Sequence, residues 1–335
     1  MAPDRDLEVA FVRAWAPGAP RSLEGWDMLA ASGVRGLRVL HETDAFHGLL
    51  LTEANPAAAE LLASNAARFP GARVEARDAR APSEGRFDLV DLDPYGTPVP
   101  FLEAALAAVR PGGTLAVTAT DMMVLAGVQP GAAERRYGGR PVRGRLGPEG
   151  GLRLLLATVA RAADARRLRV RPLLAYSHDH YVRAYLEVRP APDAGGPGPI
   201  GPLGGAGYDG PPLGSDGAFG PMWLGPLLDA DVVGRLLPPP GAADPPGTAR
   251  WIARLKEEVA ADVPFYYEAN SLARALGLTH PPPIEFFLSA LRGAGFRAAR
   301  TQARPEGFRT DAPRAVVEAT ALRGSDQSQN ARVRA

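Results

Sequence analysis

The chain has 335 residues, enough for two domains, and its 46% hydrophobic and 22% charged residues exclude a mainly disordered or collagen-like protein. It has no cysteine, which excludes disulfides, thiolate nucleophiles and Cys-ligated metal sites. The formal net charge of +1 excludes a uniformly basic nucleic-acid binder, although all but one of the 38 basic residues are arginine and a local basic surface remains possible.

Strand-like and helix-like segments alternate through the first half of the chain. We predict helices at 56–69, 99–110 and 149–167, and strands within 26–31, 48–55, 72–79, 87–96 and 114–121. Residues 169–189 predict two further strands around a tight turn at 178–180. This alternation favours an α/β fold with a parallel sheet, and the closing β-hairpin is typical of a class I, Rossmann-like methyltransferase sheet.

Glycine and proline dominate residues 190–221, which we interpret as a linker or irregular segment. A smaller α+β domain is predicted at 222–325, with helices near 227–237, 247–261 and 283–294 and strands at 296–301 and 315–320. The predicted organisation is therefore a cofactor-binding domain at 1–189, this linker, the second domain and a disordered tail at 326–335.

Three features follow successive strands in the first half. Ser32 and Gly33 begin a turn of small residues where backbone amides can approach a ligand. Glu53 ends the second strand, where an acid can accept both hydroxyls of a ribose. Asp78 ends the third strand, where it can accept a hydrogen bond from an adenine amino group beside the Ala79 backbone. Together these features indicate an adenosine, and they fit either S-adenosylmethionine or NAD.

The fourth strand ends in Asp91-Leu-Asp93-Pro94-Tyr95-Gly, a pattern that favours a methyltransferase. An exocyclic base amine is a poor nucleophile because its lone pair is delocalised into the ring. Asp93, with Asp91 as the second choice, can hold the N–H and accept the released proton. Pro94 stiffens the turn, and Tyr95 offers a face on which an extruded base can stack. The competing interpretation is an ordinary β-turn.

Two arginine-rich segments are candidate phosphate contacts. The first follows the fifth strand and contains Arg135, Arg136, Arg140, Arg143 and Arg145. The second lies in the late loop of the second domain and contains Arg300, Arg304 and Arg309. Both segments have a competing interpretation as solvated loops. His178 and His180 flank a turn without matching metal-ligand spacing, so no metal site is predicted.

The sequence resembles the tRNA guanine-26 N2-dimethyltransferases, especially the archaeal enzymes, over nearly the whole chain. The DLDPYGTP and HDHYVR stretches are specific to that family, whereas the glycine-containing turn is not. The resemblance rests on RDLEVA (5–10), DMLAASGVRGLR (27–38), DLVDLDPYGTPVPFLEAA (88–105), EGGLRLLLATVARAA (149–163), YSHDHYVRAYLEV (176–188), GPMWLGPLLD (220–229) and GFRAARTQARPEGFRTDAP (295–313).

The resemblance implies a cytoplasmic enzyme that moves one or two methyl groups from S-adenosylmethionine to N2 of guanosine 26 in tRNA. It implies that Asp93 is the catalytic acid, that Tyr95 contacts the base and that the C-terminal domain docks tRNA. No membrane association, metal or obligate protein partner is expected. The implied cofactor ligands are Arg5, Arg35, Glu53, Asp78 and the Ala79 backbone.

The sequence departs from the family in three ways. Only four residues precede Arg5, where relatives usually have a longer segment, so we expect either a misplaced start or a more open pocket. The cysteines that many relatives carry near 200–220 are absent, and Tyr95 replaces the usual phenylalanine. Three alternatives therefore stay open. They are methylation of another guanosine, such as position 27, or monomethylation only; a non-catalytic RNA- and cofactor-binding homologue; and a nicotinamide dehydrogenase.

Overall fold

The computed structural model describes residues 2–18, 22–191, 196–205, 208–214 and 217–333. A seven-stranded sheet of order β3-β2-β1-β4-β5-β7-β6 forms its centre. The first five strands are parallel, and β6 and β7 form an antiparallel hairpin at one edge, which confirms the predicted methyltransferase-type sheet. The strands are β1 (Leu23–Asp27), β2 (Phe46–Thr52), β3 (Ala72–Glu75), β4 (Phe87–Leu92), β5 (Val109–Ala119), β6 (Leu168–His178) and β7 (Tyr181–Pro190).

Helices cover both faces of this sheet and build most of the second domain. The helices are α1 (Ala2–Trp15), α2 (Val34–Thr43), α3 (Pro56–Ala66), α4 (Leu102–Ala108), α5 (Met122–Leu125), α6 (Pro130–Tyr137), α7 (Gly147–Asp164), α8 (Ala230–Arg235), α9 (Pro245–Glu258), α10 (Ala269–Ala275), α11 (Ile284–Gly293) and α12 (Arg314–Val333).

Local sequence explains where several elements begin and end. All six residues of β4 are buried because it lies between β1 and β5 at the centre of the sheet. Asn55 caps α3 by accepting a hydrogen bond from the Ala57 amide, and Pro56 occupies the first turn. The predicted helix at 99–110 is shorter than expected, because β5 already starts at Val109 and includes the Pro-Gly-Gly segment.

Among the described residues, the two larger of three hydrophobic clusters divide the chain at a later residue than predicted. The main core runs from α1 to Phe265 and includes α8 and α9, whereas the second core spans residues 267–321. The predicted boundary at residue 222 is therefore wrong, because Trp251 and Leu255 on α9 pack into the main core. The predicted linker holds a hairpin of β8 (Ile200–Gly204) and β9 (Ala218–Trp223).

The second domain differs from its prediction in two further respects. Its three-stranded sheet has the order β10-β12-β11, formed by β10 (Tyr267–Glu268), β11 (Ala298–Arg300) and β12 (Gly307–Thr310). The predicted strand at 315–320 belongs to α12, because Val317 and Ala321 stand four residues apart and pack together on the second core. The predicted tail from 326 is also wrong up to Val333, since α12 continues there, and 334–335 lie outside the described residues.

Candidate active site

An open cleft of about 660 Å³ lies at the carboxyl ends of the parallel strands. This is the edge where doubly wound sheets bind their ligands. Seven of the predicted site residues line the cleft, namely Arg5, Ser32, Arg35, Glu53, Asp93, Pro94 and Tyr95. The strand-end rule therefore brings together residues that are far apart in the sequence.

The turn after β1 needs glycine for two physical reasons. Gly33 has φ +80°, and a Cβ added there would lie 2.6 Å from the Leu62 side chain. A Cβ on Gly36 would lie 2.8 Å from Leu49, so this glycine allows α2 to pack closely on the sheet. The turn thereby leaves Ser32 at the cleft while Gly33 itself is buried.

Glu53 is held at the cleft by backbone amides of two loops, the one after β1 and its own. Its carboxylate accepts hydrogen bonds from the Ala31 amide at 3.0 Å and from the Asn55 amide at 2.8 Å. Each oxygen keeps a lone pair for a further donor, because each accepts one of these bonds. The position therefore suits a pair of sugar hydroxyls.

Asp78 and Ala79 lie outside the residues that line the cleft. Asp78 accepts hydrogen bonds from Arg80, and these contacts lower the pKa of its carboxyl to about 2. Ala79 is buried. The structure therefore does not bring these two residues together with the other predicted cofactor ligands.

The turn after β4 presents one carboxylate and one aromatic ring. Asp93 lines the cleft with 20% of its side chain exposed, and Tyr95 is 98% exposed. The Gly96 amide donates to Thr120 Oγ1 at 2.7 Å. The Tyr137 hydroxyl contacts both Thr97 Oγ1 and the Asp121 carboxylate. Hydrogen bonds to Gly96 and Thr97 thus fix the turn, while the Tyr95 side chain remains exposed to solvent.

Arg35 is the centre of a charged network beneath this turn. Its guanidinium donates to Asp93 at 2.7 Å, to Asp4 at 2.7 Å and to Glu8 at 2.8 Å. Asp4 and Glu8 stand four residues apart on one face of α1. Burial alone would raise the pKa of Asp4, but the positive charge of Arg35 and Arg183 lowers it to about 2. The network therefore holds Asp93 beside a fixed cation.

Asp91 does not reach the cleft, so its predicted catalytic role is wrong. It is 4% exposed, and its carboxylate accepts from Arg183 at 2.9 Å and lies 3.7 Å from Arg35. Burial raises the pKa of Asp91 against the opposing effect of Arg183. Side chains two residues apart share one face of a strand, but β4 ends at Leu92, so Asp91 stays inside the sheet while Asp93 belongs to the turn that follows it.

Asp27 is a functional candidate that the sequence analysis missed. It ends β1, lines the cleft and is 4% exposed. Burial and the neighbouring Asp91 raise the pKa of its carboxyl to about 7. The strand-end rule that selected Glu53 and Asp78 also applies to Asp27 and would have found it.

Asp4, Glu8 and Arg183 were missed as well. The i, i+4 pair of acids on α1 and an arginine within the apolar run of β7 were the available signals. Arg183 is fully buried. Among the residues that the structure describes, Arg5 lines the cleft without an ion-pair partner, in contrast to Arg35.

The first arginine-rich segment lies on the surface around α6. Arg135, Arg136, Arg140, Arg143 and Arg145 are all exposed. Arg136 pairs with Asp121 at 2.5 Å, Arg145 pairs with Glu268, and Arg140 lies over the Phe219 ring. Arg136 therefore connects this surface with Asp121 and Tyr137, which fix the turn after β4.

The second arginine-rich segment is divided between surface and interior. Arg304 is exposed, and Arg300 pairs with Glu285. Arg309 is 2% exposed and pairs with Glu149 at 2.9 Å and with Glu258 at 2.5 Å. The prediction that Arg309 contacts nucleic acid is therefore wrong, because its guanidinium joins the second domain to α7 and α9.

The cleft fits the cofactor that the sequence analysis favoured. It combines a buried acid at Asp27, an acceptor pair at Glu53 and an unpaired cation at Arg5, which match an ammonium, a ribose and a carboxylate. No metal-type cluster of His, Asp or Glu occurs within the described residues, and His178 instead stacks on Trp251. Nor does any described helix combine the length and apolar character needed to cross a membrane.

Comparison with known proteins gives consistent findings. A family model described as N2,N2-dimethylguanosine tRNA methyltransferase matches residues 1–195 and 213–321. The tRNA (guanine(26)-N(2))-dimethyltransferase of Thermococcus kodakarensis is 37% identical over 95% of this chain and 90% of its own. The enzyme of the same name from Pyrococcus furiosus is 31% identical over 93% of this chain and 88% of its own.

A solved structure shows the same architecture. Trm1 from Pyrococcus horikoshii, in complex with S-adenosyl-L-methionine, has a TM-score of 0.84 and 29% sequence identity. The match covers 96% of this chain and 92% of that one. The similarity therefore includes both hydrophobic cores.

Proposed function

The chain belongs to the N2,N2-dimethylguanosine tRNA methyltransferase family, and from this premise we propose that it methylates N2 of guanosine 26 in tRNA, in one or two rounds. The observation that carries the proposal is the position of Asp93, held by Arg35 in the cleft beside the exposed Tyr95. The cytoplasm, where tRNA is processed, is the proposed location.

The proposed cofactor, S-adenosylmethionine, supplies a methyl group on a sulfonium that leaves as a neutral thioether. Arg5 is suited to bind its carboxylate, because this cation lines the cleft without an ion pair to another described residue. Glu53 would accept the ribose hydroxyls, and Asp27 would face a cationic group. Asp78 and the Ala79 backbone would bind the adenine. For this role the Asp78 carboxylate must accept a hydrogen bond from the adenine amino group in addition to those from Arg80.

Asp93 would act on the target amine. Its carboxylate can accept an N–H of guanine N2 and orient the nitrogen lone pair toward the methyl carbon. As the N–C bond forms and the C–S bond breaks, sulfur keeps the bonding electrons. The N2 proton then passes to Asp93. The adjacent Arg35 holds this acceptor in the cleft before the reaction.

Tyr95 and the surface arginines would hold the RNA. Guanosine inside a stacked helix must leave the stack before its amine can reach Asp93. The exposed ring of Tyr95 would stack on the extruded base, and Arg135, Arg143 and Arg304 would contact phosphates. Arg309 is not part of this proposal, since it is buried.

The test is methylation of an unmodified tRNA transcript, followed by digestion and mass analysis of the nucleosides. A matched transcript carries adenosine at position 26. Dimethylguanosine from the first transcript and none from the second is the expected result, whereas monomethylguanosine alone would limit the activity to one round. Methylation of both transcripts would assign another guanosine. Cofactor and tRNA binding without any methylation would indicate a non-catalytic homologue.

A further inference from the structure

We propose that Arg183 is a positioning residue for methyl transfer, neutralising Asp91 from the interior so that Arg35 remains available to hold Asp93. This inference rests on the proposed function, because it assumes that Asp93 is the acceptor. Arg183 ends the HDHYVR stretch, for which the proposed reaction otherwise gives no role.

The contacts of Arg183 fix it in the interior beside Asp91 of β4. It is fully buried, and its Nη2 lies 2.9 Å from Asp91 and 3.3 Å from Glu8. Its Nη1 donates to Thr118 Oγ1 on β5 at 2.6 Å, and its Nε donates to the Tyr185 hydroxyl. These bonds fix the guanidinium between β4, β5 and α1, and Arg183 is not among the residues that line the cleft.

Two cations therefore contact four carboxylates in this cluster. Arg35 contacts Asp4, Glu8 and Asp93 directly and lies 3.7 Å from Asp91, whereas Arg183 contacts Asp91 and Glu8. The titratable groups that face the cluster from α1, β1, α2, β4, β6 and β7 are Asp4, Glu8, Asp27, Arg35, Asp91, Asp93, Tyr176, Tyr181, Arg183 and Tyr185.

Removal of Arg183 would redistribute this charge. Asp91 and Glu8 would depend on Arg35 alone, and Asp93 would then share one guanidinium with three other carboxylates. A carboxylate with weaker cation support binds a proton at higher pH. A protonated Asp93 has lost its charge and cannot take the proton of the target amine, so activity would require a more alkaline solution.

The experiment compares pH–rate profiles for single-turnover methylation of the tRNA transcript at saturating cofactor. For Arg183→Met, we expect the rising limb to move to the alkaline side, by less than the roughly 1–3 pH units that loss of a directly paired cation gives, because Asp93 keeps its contact with Arg35. This change also removes a cation from the buried carboxylates of Glu8 and Asp91, so it should lower the stability of the fold. Arg183→Met/Asp91→Asn removes both members of the buried pair and should return the limb toward the wild-type position. Arg183→Lys retains the cation and should shift it less.

The outcomes separate this inference from the proposed function. A folded Arg183→Met variant with reduced rate but an unshifted profile would show a merely structural role and overturn the inference. So would a shift that persists in the double variant, since charge balance would not then be its cause. Should Arg183→Met not fold, the profiles of Arg183→Lys and of the double variant decide. Loss of the proposed function would appear instead as Asp93→Asn turning over like the wild type, whatever Arg183 does.

Discussion

Replacing Asp93 with asparagine should abolish most turnover while leaving the fold and cofactor binding intact. The amide has the size of the carboxylate, but it cannot accept the proton that guanine N2 loses. Removing a positioned general base lowers rates by about 10²- to 10⁴-fold. This range corresponds to about 3–5 kcal/mol of transition-state stabilisation.

The structure predicts a much smaller effect on stability. Arg35 keeps its bonds to Asp4 and Glu8 in this variant, at 2.7 Å and 2.8 Å, so no buried cation is left unpaired. The lost pair to Asp93 is partly exposed, and such pairs contribute up to about 1 kcal/mol. The change in free energy of unfolding should therefore stay within that amount.

The assay is single-turnover methylation with labelled S-adenosylmethionine, accompanied by calorimetric cofactor binding and denaturant unfolding. Asp231→Asn is a matched control, because Asp231 is an exposed carboxylate beside the cavity at the opposite end of the sheet. It should behave as wild type in all three measurements. Turnover by Asp93→Asn within about threefold of wild type would refute the assigned role, since a base contributes far more.

Tyr95→Phe should keep near-wild-type kcat/KM, whereas Tyr95→Ala should lose the roughly 1–3 kcal/mol of base stacking, measured with saturating cofactor and limiting tRNA. Equal losses in both variants would assign the effect to the hydroxyl. Arg309→Met should destabilise the fold by about 3–5 kcal/mol in denaturant unfolding, because Glu258 would remain buried without its cation and Glu149 would keep only Arg153. Arg304→Ala should instead leave stability unchanged and weaken tRNA binding with a smaller salt dependence. The buried carboxyl of Asp27 is protonated below its pKa of about 7, and only the ionised carboxylate attracts a cationic group in the cleft. The affinity for S-adenosylmethionine should therefore fall as the pH drops through about 7. Calorimetry should detect this proton release and its loss in Asp27→Asn, and an identical pH dependence in both proteins would contradict the assignment.

Strand ends could be predicted from the sequence because their chemistry is local. A buried run followed by a polar residue placed Glu53 and Asp93 correctly at the cleft. The same pattern could not show that Asp91 faces inward, because its orientation depends on Arg183, which is 92 residues away. Long-range pairing of this kind leaves no local periodicity in the sequence.

Errors in the second domain have a related cause. Arg309 follows the same arginine-rich pattern as Arg304, and only the packing of β12 against α7 and α9 separates buried from exposed positions. Residues 315–320 are apolar enough for either a strand or a helix, and the second core selects the helix. The domain boundary likewise falls later than predicted because the apolar side chains of α9 pack into the main core.

The buried contacts of Arg309 also determine how the molecule comes apart. This side chain on β12 bonds to Glu149 on α7 and Glu258 on α9. Separating the two hydrophobic cores would therefore leave ionised groups of both signs without these partners. The energetic cost couples the cores, and heating should produce one cooperative transition with equal calorimetric and van't Hoff enthalpies. The arginines on both cores would then meet tRNA as parts of a single rigid body, whose shape fixes the spacing of the phosphates it accepts.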